Sequence, residues 1–235
     1  GDRDCSVQRR YQKLIEEAPA PQLSEALRAD LHAAAVRFAR HIGYRSLGTV
    51  EFLVDVARQK FYFLEMNARI QVEHPVTEMV TGLDLVAEQL RVAEGQALAF
   101  TQSDVRLQGH AVECRINAED PARDFRPSPG RVAQAHFPAH AGVRVDTYIE
   151  DGASIPPFYD ALIAKLIAHG PTRAEALQRL DGALAALRLS GIQTNQALHR
   201  AVIASPEFAA GGVDTGFLGR WLSARAATPA QGPTA

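Results

Sequence analysis

Close to Gly43 the apolar spacing changes from about 3.6 to 2, and this switch constrains the fold more than any other feature of the chain. Upstream, Leu27, Leu31, Ala35, Phe38 and Ile42 recur at helical spacing. Ser24 precedes them as a natural cap, and Gly43 stands where such a helix would stop. Downstream, residues 47–55 and 60–66 alternate as two strands joined by a short turn. A helix feeding a hairpin, with no strand–helix–strand rhythm elsewhere, gives the class α+β.

The rest of the chain supports that class. Residues 3–17 alternate loosely and end at Ala18-Pro19-Ala20-Pro21, a helix-hostile linker. A second helix is expected from Asp84 to Gly95, followed by a loose stretch over 96–108. Residues 109–117 alternate again, and strands are expected near 131–137 and 143–149 before Pro156-Pro157. Thr172-Arg173-Ala174-Glu175 reads as a capping box. The helix it opens carries Leu177, Leu180, Leu184 and Leu187 on one stripe, with Gly191 as its stop. Short helices are expected at 195–204 and 215–222, and a disordered tail from Ser223. The implied division is 1–98, 109–222 and the tail 223–235.

Charge excludes several function classes. Lys and Arg total 25 against 27 Asp and Glu, leaving no electrostatic footprint for nucleic acid or an anionic membrane. No apolar stretch approaches the roughly 18 residues of a membrane span. Cys5 and Cys114 lie far apart without metal spacing, as expected of a reducing, cytosolic setting. The chain opens on Gly1-Asp2-Arg3-Asp4 with strand-like sequence at once, so it is expected to begin inside a domain.

The hairpin carries the first chemical signal. With its turn centred on Arg58, Glu51 opposes Glu65 on a face shared with Leu53, Asp55, Phe61 and Phe63. Val50, Phe52, Val54, Tyr62, Leu64 and Met66 fall on the other face, so both sides look covered. Two adjacent carboxylates in such a place call for a proton or a cation between them, and magnesium bridged to phosphate suits the pair. A register shift of one residue would instead send the glutamates to opposite faces, each to its own arginine. Beyond the hairpin, Glu65, Asn67, Arg69, Gln71 and Glu73 alternate with apolar residues. A solvent-facing strand has that period too, but the order carboxylate, amide, guanidinium, amide, carboxylate suits a metal, an anion and a base. In 109–117 the side chains of Ala111, Glu113, Arg115 and Asn117 share a face, where Arg115 has a simple partner in Glu113.

Together these segments resemble biotin carboxylase, a member of the ATP-grasp superfamily. The resemblance rests on Arg3-Asp4-Cys5-Ser6 with Gln8-Arg9-Arg10 and Gln12-Lys13, and on Glu16-Glu17-Ala18-Pro19-Ala20-Pro21. It continues in Glu65-Met66-Asn67, in Arg69-Ile70-Gln71-Val72-Glu73-His74-Pro75-Val76-Thr77-Glu78, and in Gly109-His110-Ala111-Val112-Glu113-Cys114-Arg115-Ile116-Asn117-Ala118-Glu119-Asp120-Pro121. It runs from residue 1 to about 222. It implies the rear part of an ATP-grasp domain followed by the biotin carboxylase C-terminal domain.

By that resemblance Glu51 and Glu65, with Asn67 beside them, match magnesium or manganese ligands. Arg69 matches a catalytic arginine that binds bicarbonate, and Lys13, Gln71 and the Val72 backbone match further bicarbonate contacts. Glu73 matches the general base, and Arg115 the residue holding the ureido oxygen of biotin. Gln8, Tyr11, Leu53 and Ile192 fall where the family contacts ATP, although the family commonly has His where this chain has Tyr11. The implied activity is ATP- and magnesium-dependent carboxylation of biotin by bicarbonate, the first half-reaction of an acyl-CoA carboxylase such as acetyl-CoA carboxylase. The implied partners are a biotin carboxyl carrier, carboxyltransferase subunits and a second copy of the chain. The family's front half, with its lysines and Gly-rich lid, has no counterpart here, so this stretch by itself is expected to bind ATP weakly and to be inactive. Another ATP-grasp ligase such as carbamoyl-phosphate synthetase, or a non-catalytic dimerisation module, is the alternative.

Overall fold

The computed structural model describes residues 1–227, and its framework is one antiparallel sheet of five strands. In spatial order these are β1 (Asp4–Arg9), β2 (Gln12–Ala18), β5 (His110–Asn117), β7 (Leu162–Gly170) and β6 (Val143–Thr147). The first hairpin therefore joins the sheet of the later segment, and hydrogen bonds cross the division implied at 98–109. The two-residue turn between β1 and β2 places Arg10 and Tyr11 at positive φ. That backbone matches the right-handed twist of the strands, at the cost of a left-handed conformation for two residues with Cβ atoms.

Burial on both sides makes this sheet the core. Val112, Cys114 and Ile116 of β5 and Leu166 of β7 pack against helix α4 (Arg173–Ala186). The stripe Leu177, Leu180, Leu184 and Leu187 is buried as its spacing predicts, each side chain contributing about 1.5–3 kcal/mol. Ala111 and Ile167 on the opposite face meet Val76 and Val80 of helix α2 (His74–Thr81) in a smaller cluster. The site side chains of β5 lie on this second face, beside α2.

The remaining elements form a lighter unit. Helix α1 (Glu25–His41) is capped by Ser24, whose side chain accepts from the Leu27 amide. Phe38 of α1 meets Phe63 of the hairpin β3 (Thr49–Asp55) and β4 (Lys60–Asn67), with ring centroids 5.1 Å apart. Buried Asp2 ties α1 to the N-terminal segment by accepting from Arg28 at 2.6 Å. Helix α3 (Leu85–Ala93) is capped by Asp84 as expected.

Several expectations need correction. Glu51 does oppose Glu65, but the register shifts between Glu51 and Phe52, so Phe52 opposes Phe63 and Asp55 opposes Lys60. The extra residue in β4 moves Phe61 and Phe63 to the face of Phe52 and Val54, and Tyr62 to the face of Leu53. Neither face is fully covered: Phe52, Val54 and Phe61 are half-buried, whereas Leu53, Tyr62 and Phe63 are each 53% exposed. The polar ladder does not stay extended: β4 ends at Asn67, and the chain bends and turns into α2, a helix not anticipated, with Pro75 in its first turn. The inner strand β7 was also missed, because a run buried on both faces lacks alternation. Helix α4 ends at Ala186, five residues before Gly191. Gly191 instead makes a tight turn after the strand Arg188–Ser190, where an added Cβ would lie 2.3 Å from the Arg131 carbonyl oxygen. Near the strand expected at 131–137 there are two short ones, Gly130–Arg131 and Gln134–His136. The last helix, Phe217–Ala227, runs past Ser223, and the remainder of the expected tail lies outside the described residues.

Candidate active site

A register shift in β2 builds the floor of the cleft. Val7 pairs with Ile15 but Gln8 pairs with Lys13, leaving Leu14 as an extra residue. Without it Lys13 would alternate onto the face of core residue Ile15; with it, Lys13 joins Glu16 on the cleft face. The Lys13 ammonium then donates to Glu51 Oε1 at 2.9 Å and to Glu73 Oε1 at 2.8 Å. Burial works against that ammonium, but the negative groups around it, including Glu73 and Glu51, hold it protonated above its ordinary range.

Glu73 is the centre of the constellation. It stands at the N-cap position of α2 without a side-chain capping bond and is 1% exposed. One of its oxygens faces Lys13, while the other accepts from Arg115 Nη2 at 3.0 Å. Burial pushes the carboxyl up, yet the Lys13 bond and charge outweigh it, so the net shift is downward and Glu73 stays ionised. An ionised carboxylate is the form able to receive a proton. Arg115 also donates Nε to Glu16 Oε1 at 2.6 Å. The local partner expected for it, Glu113, makes no side-chain hydrogen bond.

The second wall is the hairpin. Asn67 Nδ2 donates to Glu51 Oε1 at 3.2 Å and to Glu65 Oε1 at 2.9 Å, bridging the opposed carboxylates. Among the described residues neither glutamate's second oxygen takes a hydrogen bond. Two carboxylates plus an amide oxygen, all open to a cleft, suit a hard divalent cation that completes its shell with substrate oxygens. The residues present therefore fit magnesium or manganese.

The loop between β4 and α2 faces both walls. Arg69 donates to the Ile70 carbonyl at 3.0 Å and to Asn67 Oδ1 at 3.3 Å. Both partners are neutral, so its charge is not cancelled and is available to an anion. Gln71 is buried, and its Nε2 has no partner, an orphaned donor lining the same cleft. Val72 also lines it, and its carbonyl is fixed by Lys165 Nζ at 3.0 Å.

Ten of the predicted residues thus meet in one cleft: Tyr11, Lys13, Glu51, Glu65, Asn67, Arg69, Gln71, Val72, Glu73 and Arg115. Tyr11 stands at its rim, 97% exposed. Three do not line it. Gln8 sits opposite Lys13 in the strand register, Leu53 lies on the open hairpin face, and Ile192 is buried in the main apolar core. The sequence reading missed Glu16, Lys165 and the clamp behind Arg115. There the Arg115 carbonyl accepts from Asn195 Nδ2 at 3.0 Å and faces His199 Nε2 at 2.7 Å. Burial holds His199 neutral and pulls its pKa down to about 4. A polar residue inside a strand pattern was the available signal for Glu16; nothing local marks the clamp.

Residues 113–220 match the family described as biotin carboxylase C-terminal domain, and residues 1–101 match the carbamoyl-phosphate synthase L chain, ATP binding domain. The chain is 53% identical over 218 residues to a biotin carboxylase of Nostoc, covering 93% of this chain and 48% of that one. It is 52% identical over 222 residues to the Pseudomonas aeruginosa biotin carboxylase, covering 94% and 49%. The biotin carboxylase domain of Hydrogenobacter thermophilus 2-oxoglutarate carboxylase superposes with a TM-score of 0.91 at 44% identity, over 94% of this chain and 48% of that one. That structure is a dimer holding MgADP, ADP and bicarbonate. The chain spans about half the length of the curated relatives it matches.

Proposed function

Because this chain belongs to the biotin carboxylase family, we propose that its cleft serves the ATP-dependent carboxylation of biotin by bicarbonate. The observation that carries the reading is the continuous chain of contacts Glu51–Lys13–Glu73–Arg115, which joins the cation wall to the acceptor wall through one buried carboxylate.

Glu73 removes the proton of bicarbonate, which Arg69, Gln71 and the Val72 backbone hold in place. Lys13 sits between Glu73 and Glu51 and steadies the ATP phosphate as bicarbonate displaces ADP to form carboxyphosphate. Positioning and charge neutralisation do most of this work, as in other phosphoryl transfers. When bound by Glu51, Glu65 and Asn67, magnesium or manganese would supply charge neutralisation at the phosphate oxygens. Carboxyphosphate then releases carbon dioxide, its phosphate takes the biotin N1′ proton, and Arg115 supports the ureido oxygen as it becomes enolate-like. A planar guanidinium suits that role better than an ammonium. Tyr11 at the rim, and more distantly Gln8, Leu53 and Ile192, complete the proposed nucleotide contacts.

The division into an ATP-grasp part over 1–98 and a C-terminal domain over 109–222 belongs to the same proposal, as do a biotin carrier, carboxyltransferase subunits and a second copy as partners. Dimerisation draws support from the Hydrogenobacter dimer. A cytoplasmic setting draws support from two unpaired cysteines. No described helix is long and apolar enough to cross a membrane. Carbamoyl-phosphate synthesis is disfavoured by the match over 113–220 and by Arg115 reaching Glu73.

The test measures ADP and carboxybiotin formed from ATP, magnesium, bicarbonate and free biotin by the protein as the cell makes it. Turnover should require biotin, and Glu73→Gln should lower it by about 10²–10⁴-fold. Turnover with ammonia and none with biotin would overturn the reading in favour of the synthetase.

A further inference from the structure

Behind Arg115 lies a second pair of carboxyl groups that the proposed reaction does not use. Glu16 of β2 and Glu113 of β5 are direct partners in the strand register. Both are wholly buried. Directly opposed residues on neighbouring strands have Cβ atoms roughly 4.5–5.5 Å apart, within reach of two glutamate side chains. Glu16 Oε1 is taken by Arg115 Nε. Glu16 Oε2 and both oxygens of Glu113 have no partner.

Three buried, unserved oxygens on facing carboxyl groups leave one economical arrangement. Two full charges at this distance in a dry site repel strongly and lose their hydration, whereas one proton between them supplies the missing donor and removes one charge. The charged groups around the pair decide which side keeps it. Arg115 on β5 bonds to Glu16, not Glu113. Lys165 on β7 is committed to the Val72 carbonyl and Asp146, and Lys13 on β2 to Glu51 and Glu73. Glu73, at the start of α2, adds only negative charge. On its other side Glu113 is paired across the strands with Ile167, a member of the apolar cluster that includes Ala111 and Val76.

We propose that Glu113 is a protonated positioning residue that donates to Glu16, so that Glu16 alone serves as the fixed counter-ion of Arg115. The pair then presents a single negative charge to the guanidinium. Glu16 holds Nε while Nη2 remains with Glu73 and the substrate side. Burial and the neighbouring Glu16 both push the Glu113 carboxyl well above its ordinary range, in keeping with this assignment. Glu16, fully buried but bonded to Arg115, rises only to about 7. The inference assigns a role within the biotin carboxylation proposed above, but the proton itself is independent of that reading.

The test has two arms on the protein as the cell makes it. Infrared difference spectroscopy without any substrate should show a protonated carboxyl band at neutral pH that exchanges slowly and disappears in Glu113→Gln. In the assay, Glu113→Ala should lower kcat for biotin carboxylation about tenfold with KM for ATP unchanged. Glu113→Gln, which keeps a donor toward Glu16, should restore most of that loss. Absence of the band, or a Gln variant as impaired as the Ala variant, would overturn the proposal. A wild-type protein with the band but no biotin-dependent turnover would retire the proposed reaction and leave the shared proton standing.

Discussion

The five-stranded sheet and the unit of α1 with its hairpin supply opposite walls of one cleft, yet they hold their side chains by different means. On the sheet side, Glu16 and Arg115 of the strands and Glu73 at the start of α2 are embedded among buried residues and fixed by paired ions. In the hairpin, Glu51 and Glu65 stand beside one another bridged only by the Asn67 amide, Glu51 also meeting Lys13, and Leu53 and Tyr62 of the same strands are exposed. The contrast is one of solvation. Groups whose orientation must not vary lie where desolvation makes a lost partner costly. The carboxylates proposed to receive a cation stay nearer solvent, where being unpaired costs little.

The sharpest way to break this contrast is to remove Arg115. Arg115→Ala leaves Glu16 and Glu73 as buried carboxylates missing a partner and should lower unfolding stability by about 3–5 kcal/mol in urea titrations. A negligible change would mean that the sheet wall is no more fixed than the hairpin.

Acid should discriminate next. His199 is neutral in the fold with a pKa near 4, below the ordinary 6.5 of an unfolded histidine. The unfolded chain therefore takes up a proton first as pH falls. The stability present above pH 6.5 should decline by about 3 kcal/mol on the way to pH 4. His199→Gln should flatten that part of the curve; an unchanged slope would place the loss elsewhere.

The smallest effect belongs to the open hairpin face. Leu53→Ala should change stability by no more than about 0.5 kcal/mol, because the side chain is 53% exposed. A larger loss, measured by the same titration, would show that this face is covered in solution.

Much of the cleft was legible in the residues because period and turn length decide which side chains share a face. Glu51 opposite Glu65 follows from alternation and a short turn, and the stripe of α4 from helical spacing. The register shifts were not legible. An extra residue at Leu64 leaves the pattern of polar and apolar letters unchanged while exchanging the faces of Phe61, Tyr62 and Phe63. Strand β7 was hidden because burial on both sides erases alternation, and α2 because a polar ladder of period two ran through its start.

What the sequence determined alone was the class of the fold and the opposed pair Glu51 and Glu65, since both rest on local spacing and residue chemistry, while other cleft residues such as Lys13 and Tyr11 were reached through resemblance. Only the tertiary structure decided whom each charge meets. Arg115 stands two residues from Glu113 in the chain, yet its partners are Glu16 and Glu73, brought from other strands and loops. Alternation tells a side chain which face to occupy, but the neighbour across that face depends on strand order and register, which are fixed by packing the whole sheet between α2 and α4.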